Sequence, residues 1–148
     1  MSSVEKVVQT SNQLITNYET SKFLLGNNEF TKGSLTASGD TELTEGLVMG
    51  RISATGAIVI MDKDATNGSQ YPVGACIKNQ TVLDGETVEL VLVNKGRVNE
   101  DKISFGDDET LDTAVGVADN QKIYRDWLND LGLVLFTAEE LTGYDNYL

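Results

Sequence analysis

Between Gly46 and Val98 short apolar runs are separated by turn dipeptides at nearly regular intervals, and this stretch carries most of the chain's folding information. Val88, Leu90 and Leu92 alternate with Glu89, Val91 and Val93, and β-branched residues dominate, which suits a pleated surface rather than a helix. Asp84-Gly85, between TVL and TVELVLV, has the composition of a tight hairpin turn; Thr55-Gly56, Asn67-Gly68 and Lys95-Gly96 repeat the signal less sharply. The pattern predicts strands near residues 47–52, 57–61, 73–78, 87–93 and 97–98. AIVIM at 57–61 lacks polar alternation, so cover on both faces is expected. Pro72 falls at the start of a strand, where a missing N–H does least harm.

The flanks read differently. Residues 1–30 are polar with thinly spaced apolar positions, Val4, Val7, Val8, Leu14, Ile15 and Tyr18 among them, and the helical spacing of the three valines stops at QTSNQ. This is the composition of a flexible N-terminal arm that orders against a partner or has no role. Residues 23–30 are either a short strand or the arm's anchor, and 31–45, TKGSLTASGDTELTE, are expected to be a polar loop. After the β stretch, Asp107, Asp108, Glu109 and Asp112 form a charge run flanked by Ile103, Phe105, Leu111 and Val115. A helix over 120–131 follows, with Asp119 as cap, Ile123, Trp127, Leu128 and Leu131 on one face, and Gly132 ending it. LVLF at 133–136 is expected as a short buried strand, and Thr137 with Glu140 as a capping box before the tail YDNYL. Tyr144 and Tyr147 in that tail are candidate contact residues or parts of a docked C-terminus. The fold expected is mainly β with a small α component: an arm at 1–30, a compact barrel-like β domain at 31–136 including the helix and closing strand, and a tail at 137–148.

Length and charge narrow the function classes. A chain of 148 residues suits one domain, which buries roughly 70% of its unfolded surface and needs no staples. Net charge is −12, and residues 98–148 hold 12 acids against 3 bases, with the basic residues of the whole chain scattered singly. That distribution argues against nucleic acid as a partner, since phosphate binding requires clustered lysine and arginine. No stretch resembles a signal peptide or approaches the ~20 apolar residues that span a bilayer, so a soluble product made in a cytoplasm is expected. The single cysteine, Cys76, lies in the apolar run VGACI and reads as a small buried hydrophobe.

Catalytic chemistry finds little support. The chain has no histidine, which removes the commonest general base, the Ser-His and Cys-His nucleophiles and the usual zinc ligands. No glycine-rich phosphate loop occurs. DKDATNG from Asp62 places its glycine at position seven and Val73 at position twelve, where an EF-hand needs glycine at six and glutamate at twelve. An irregular calcium site there or over Asp107–Asp112 is one reading; exposed turn residues are the other, and no metal or cofactor is expected. A glycosidase carboxylate pair always arises by chance among 23 acids, and few aromatics are present to line a sugar cleft. Trp127 reads as a core anchor. The break from Asp62 to Tyr71 is long enough to be a contact surface, with Asp62, Asp64, Asn67 and Tyr71 its candidate residues.

The succession GLVMGRIS, TGAIVIMD, a loop with Asn67-Gly68, PVGACI, DGETVELVLV and KGRV, followed by a helix and a short strand, resembles the lambda D-like head decoration proteins of tailed bacteriophages over roughly residues 46–136. The resemblance implies a non-enzymatic domain that binds the outer surface of an icosahedral head, usually as a homotrimer, through the major capsid protein. It also implies that the chain is made in the host cytoplasm and ends on the virion. Carried over by position, the arm with Val4, Val7, Val8, Leu14 and Ile15 would be the capsid anchor. The long segment 99–118 and the tail beyond Phe136 depart from the family's order. The alternatives are another phage β module, a head-fibre base or tail component, or a glycan-binding domain.

Overall fold

A computed structural model describes residues 22–116 and 121–137. Its strands are β1 (Leu24–Thr36), β2 (Thr41–Leu43), β3 (Val48–Arg51), β4 (Ile58–Ile60), β5 (Pro72–Cys76), β6 (Gln80–Val82), β7 (Thr87–Asn99), β8 (Ala114–Val115), β9 (Lys122–Ile123) and β10 (Leu133–Phe136). Among the described residues there is one α-helix, α1 (Tyr124–Leu131), before β10, and a 3-10 turn at Glu100–Lys102. The fold is mainly β with a small α component, as the sequence predicts.

Strand β7 is the spine. It pairs along its length with β1, antiparallel from Leu24↔Val98 to Thr36↔Thr87. Its other edge carries β5 at Val93 and Leu92 and then β10, parallel, at Gly96 to Asn99. The main sheet runs β1-β7-β5-β3-β4 with β10 beside β7, while β2-β6 and β8-β9 are separate pairs. Successive side chains point to opposite faces, so Val48, Ala75 and Val93 enter one core with Tyr124, Leu128 and Leu133. Met49, Cys76 and Leu92 enter a second with Leu35, Leu43, Ile58 and Val82. The central sheet is thus buried on both faces.

Hydrogen-bonded closure into a barrel is not reached, because β1 and β4 remain the two ends of the sheet. Side chains close it instead. A Cβ on Gly33 of β1 would lie 2.4 Å from Ile58 Cγ1 of β4, so glycine leaves the space this contact needs. Arg51 Nη2 donates to the Lys32 carbonyl at 3.1 Å across the same seam.

Several boundaries move. The expected loop at 31–45 is strand over 31–36 and 41–43, and residues 24–30, expected as either a short strand or the arm's anchor, are strand on β7. The predicted strands 87–93 and 97–98 are one, with Gly96 at φ +99° inside it. Asp84-Gly85 makes a turn, with Glu86 N donating to Leu83 O, but it joins β6 to β7, which belong to different sheets. Thr55-Gly56 is the true hairpin, between the paired β3 and β4. AIVIM is an edge segment: Ile58 and Met61 are buried, Val59 and Ile60 half-buried. LVLF is also an edge, with Val134 exposed. The helix starts at Tyr124 because Lys122 and Ile123 pair with β8; Ile123 holds the N-cap position, and Asp119 lies outside the described residues. Gly132 ends the helix as predicted, its N–H donating to Leu128 O and Asn129 O.

Candidate functional site

Three segments converge at one end of the domain: the β4–β5 loop, the segment 104–113 and α1. Tyr124 is the pivot, fully buried at the first position of α1, and its hydroxyl donates to the Gln70 carbonyl at 3.0 Å, tying the β4–β5 loop to the helix. Its ring stacks on Phe105 at 5.4 Å. Burial, followed by the negative charges of Glu109, Asp62 and Asp64, pushes the Tyr124 phenol well above its ordinary range. The neutral phenol is therefore the form that suits this environment.

The β4–β5 loop shapes itself by local side-chain bonds. Asp62 Oδ1 accepts from Asp64 N at 2.9 Å, and Asn67 Oδ1 accepts from Ser69 N at 3.1 Å and Ser69 Oγ at 2.6 Å. Asp62, Asp64 and Asn67 are exposed at its surface. Tyr71, grouped with them from sequence, packs inward against Trp127, ring centroids 4.9 Å apart. Trp127 is the expected structural anchor: its indole N–H reaches Val115 O and Lys122 O at 3.1 Å each, and Lys122 Nζ sits 4.2 Å from the ring centroid. The arm residues Val4, Val7, Val8, Leu14, Ile15 and Tyr18, and the tail residues Tyr144 and Tyr147, lie outside the described residues.

The convergence brings together two acidic stretches that are separate in sequence. One carboxylate oxygen each from Asp62, Asp107 and Glu109 falls within 4.8 Å of the others. Asp62 and Asp107 are exposed, whereas Glu109 is 5% exposed. A buried glutamate within the charge run is a feature the sequence reading missed; its only signal was its position between Phe105 and Leu111, both packed on the core. Cys76 is buried between the sheet and the second core, and burial pushes its thiol up to about 11, as a structural thiol requires.

Residues 15–121 match the sequence profile of the family described as bacteriophage lambda head decoration protein D. The chain belongs to that family. A role as a phage capsid decoration component comes with the membership. The match takes in all of β1, which the sequence resemblance left out, and ends before α1 and β10. No curated protein matches the chain closely enough to count as a relative.

Proposed function

We propose that this protein attaches to the outer surface of a tailed-phage head by binding the major capsid protein, and that it stabilises the shell without catalysis. The family match carries this reading. In it, the chain is made in the host cytoplasm, assembles as a homotrimer on the capsid and remains on the virion. Residues 1–21 act as the arm, with Val4, Val7, Val8, Leu14, Ile15 and Tyr18 docking on coat protein. An extended arm that adds a strand to a neighbouring sheet gains backbone hydrogen bonds and buries alternate side chains, which offsets its ordering entropy. The exposed β4–β5 loop residues Asp62, Asp64 and Asn67, and Tyr144 and Tyr147 of the tail, supply further contacts. Repetition over a symmetric shell multiplies a modest contact energy into mechanical resistance.

The test is co-sedimentation of the purified chain with undecorated, expanded heads of the phage that encodes it, beside a variant lacking residues 1–21. Saturable binding that the truncation weakens is expected. Retention of the full chain in the supernatant at micromolar concentration would reject the reading.

A further inference from the structure

We propose that Asp62, Asp107 and Glu109 form a binding site for a divalent cation of the calcium type, clipping the β4–β5 loop to the segment 104–113. Three carboxylates have their nearest oxygens within 4.8 Å of one another. Ca²⁺ binds oxygen at about 2.3–2.6 Å, so two oxygens on the same ion lie at most ~5 Å apart; for Mg²⁺ the limit is ~4 Å. Three oxygens spaced equally around one Ca²⁺ lie at most ~4.5 Å apart, so small side-chain adjustments bring the cluster onto a single ion.

Clustered acids alone do not make a site, but Glu109 does something that solvated surface acids do not. It is 5% exposed, and it spends one oxygen, Oε1, on the Lys63 backbone N–H at 3.1 Å. The other, Oε2, is buried with no hydrogen-bond partner among the described residues, on a side chain whose carboxylate belongs to the cluster. A buried carboxylate oxygen left unpaired is strongly disfavoured, and here two further carboxylates lie beside it. Among the described residues no lysine or arginine forms an ion pair with any of the three. A cation at the centre supplies the missing partner of Oε2 and cancels the mutual repulsion in one step.

The surroundings hold the ligands in place. Asp62 Oδ1 is fixed by Asp64 N at 2.9 Å, which leaves Oδ2 for an ion. Gly106, next to Asp107, lets the segment press against β4: a Cβ there would lie 2.2 Å from Ile60 Cγ2. Hard oxygen donors exclude soft thiolate-seeking metals. Three side-chain ligands leave several positions to water, which places the dissociation constant at roughly 10⁻⁴–10⁻³ M, the range of weak calcium modules.

Because the chain carries net charge −12, any divalent cation relieves repulsion non-specifically, and the experiment has to separate the two effects. The full chain, freed of metal with a chelator, is melted across a calcium titration at constant ionic strength. Asp107→Asn removes an exposed ligand, and Glu42→Gln removes the same charge from the exposed middle of β2, away from the cluster. Tb³⁺, a calcium surrogate excited through nearby tyrosine, gives a second readout. We expect an unfolding midpoint that begins to rise near 10⁻⁴–10⁻³ M calcium and climbs logarithmically above it, by several degrees for about a tenfold excess over the dissociation constant, a rise that Glu42→Gln retains and Asp107→Asn loses. Sensitised Tb³⁺ emission should saturate, yield to calcium and fall at least tenfold in affinity in Asp107→Asn. Equal midpoint shifts in all three proteins, or Tb³⁺ emission unchanged by Asp107→Asn, would overturn the proposal.

Discussion

Replacing Tyr124 by Phe isolates the bond that ties the β4–β5 loop to the helix. The ring keeps its stack on Phe105, at 5.4 Å, and its place in the core, so no apolar contact is removed. What is lost is a hydroxyl that donates to Gln70 O at 3.0 Å from a fully buried position. A buried hydrogen bond of this kind contributes about 1 kcal/mol net, and the Gln70 carbonyl, which is only half-buried, recovers part of its hydration, so the loss should be about 1–2 kcal/mol. For a chain of 148 residues, roughly 2–4 °C per kcal/mol converts this to a fall in melting temperature of about 2–8 °C. Trp127 is the sole tryptophan and packs against Tyr71 beside the pivot, so its fluorescence follows unfolding of this region directly. Amide exchange over 62–71 should accelerate more than exchange in β7, because the bond restrains the loop and not the spine. A melting temperature within 1 °C of wild type, with exchange in the loop unchanged, would refute the view that Tyr124 is the loop's anchor.

Three other outcomes follow from the packing. Leu128→Ala, at a fully buried position facing the sheet, should cost about 2–5 kcal/mol in chemical denaturation, more than Tyr124→Phe. Gly33→Val should cost about 1–3 kcal/mol, since even its Cβ would sit 2.4 Å from Ile58 Cγ1 and force β1 away from β4; a neutral result would mean the seam does not close there. The Cys76 thiol is raised from near 9 to about 11, so above pH 9 the unfolded chain gives up a proton that the native chain keeps. Its contribution is therefore complete below pH 9 and declines as pH rises to about 11, at up to ~1.4 kcal/mol per pH unit. Cys76→Ala should flatten the wild-type alkaline slope in that window, and parallel pH profiles would reject the assignment.

The pattern of apolar positions exposed the interior strands because burial on alternate faces repeats with period two. It showed β1 only in part, with residues 23–30 open between strand and anchor and 31–36 read as loop, for a physical reason. The outward positions Phe30, Lys32, Ser34 and Thr36 are mostly polar, and one inward position is Gly33, kept small by Ile58, so the strand has no apolar stripe to read. Lys95-Gly96 looked like a turn because positive φ is a turn signature, yet in β7 it occurs within a continuous strand where β10 joins the sheet. Asp84-Gly85 showed the turn but not which strands it serves, since partner choice depends on the two cores. Trp127 and Gly132 are legible from helical spacing and capping chemistry, whereas the packing of the contact-loop candidate Tyr71 against Trp127 is not, because the two are distant in sequence. The acidic convergence was out of reach in the same way: Asp62 and Asp107 are brought together only by the docking of segment 104–113 on β4.

The capsid role is tested most directly by electron cryomicroscopy of expanded heads of the encoding phage, imaged before and after saturation with the purified chain. Added density on the outer surface is expected, grouped in threes, into which the β1-β7-β5-β3-β4 sheet fits, with further density running from Lys22 onto coat protein. Identical maps with and without the protein would contradict it.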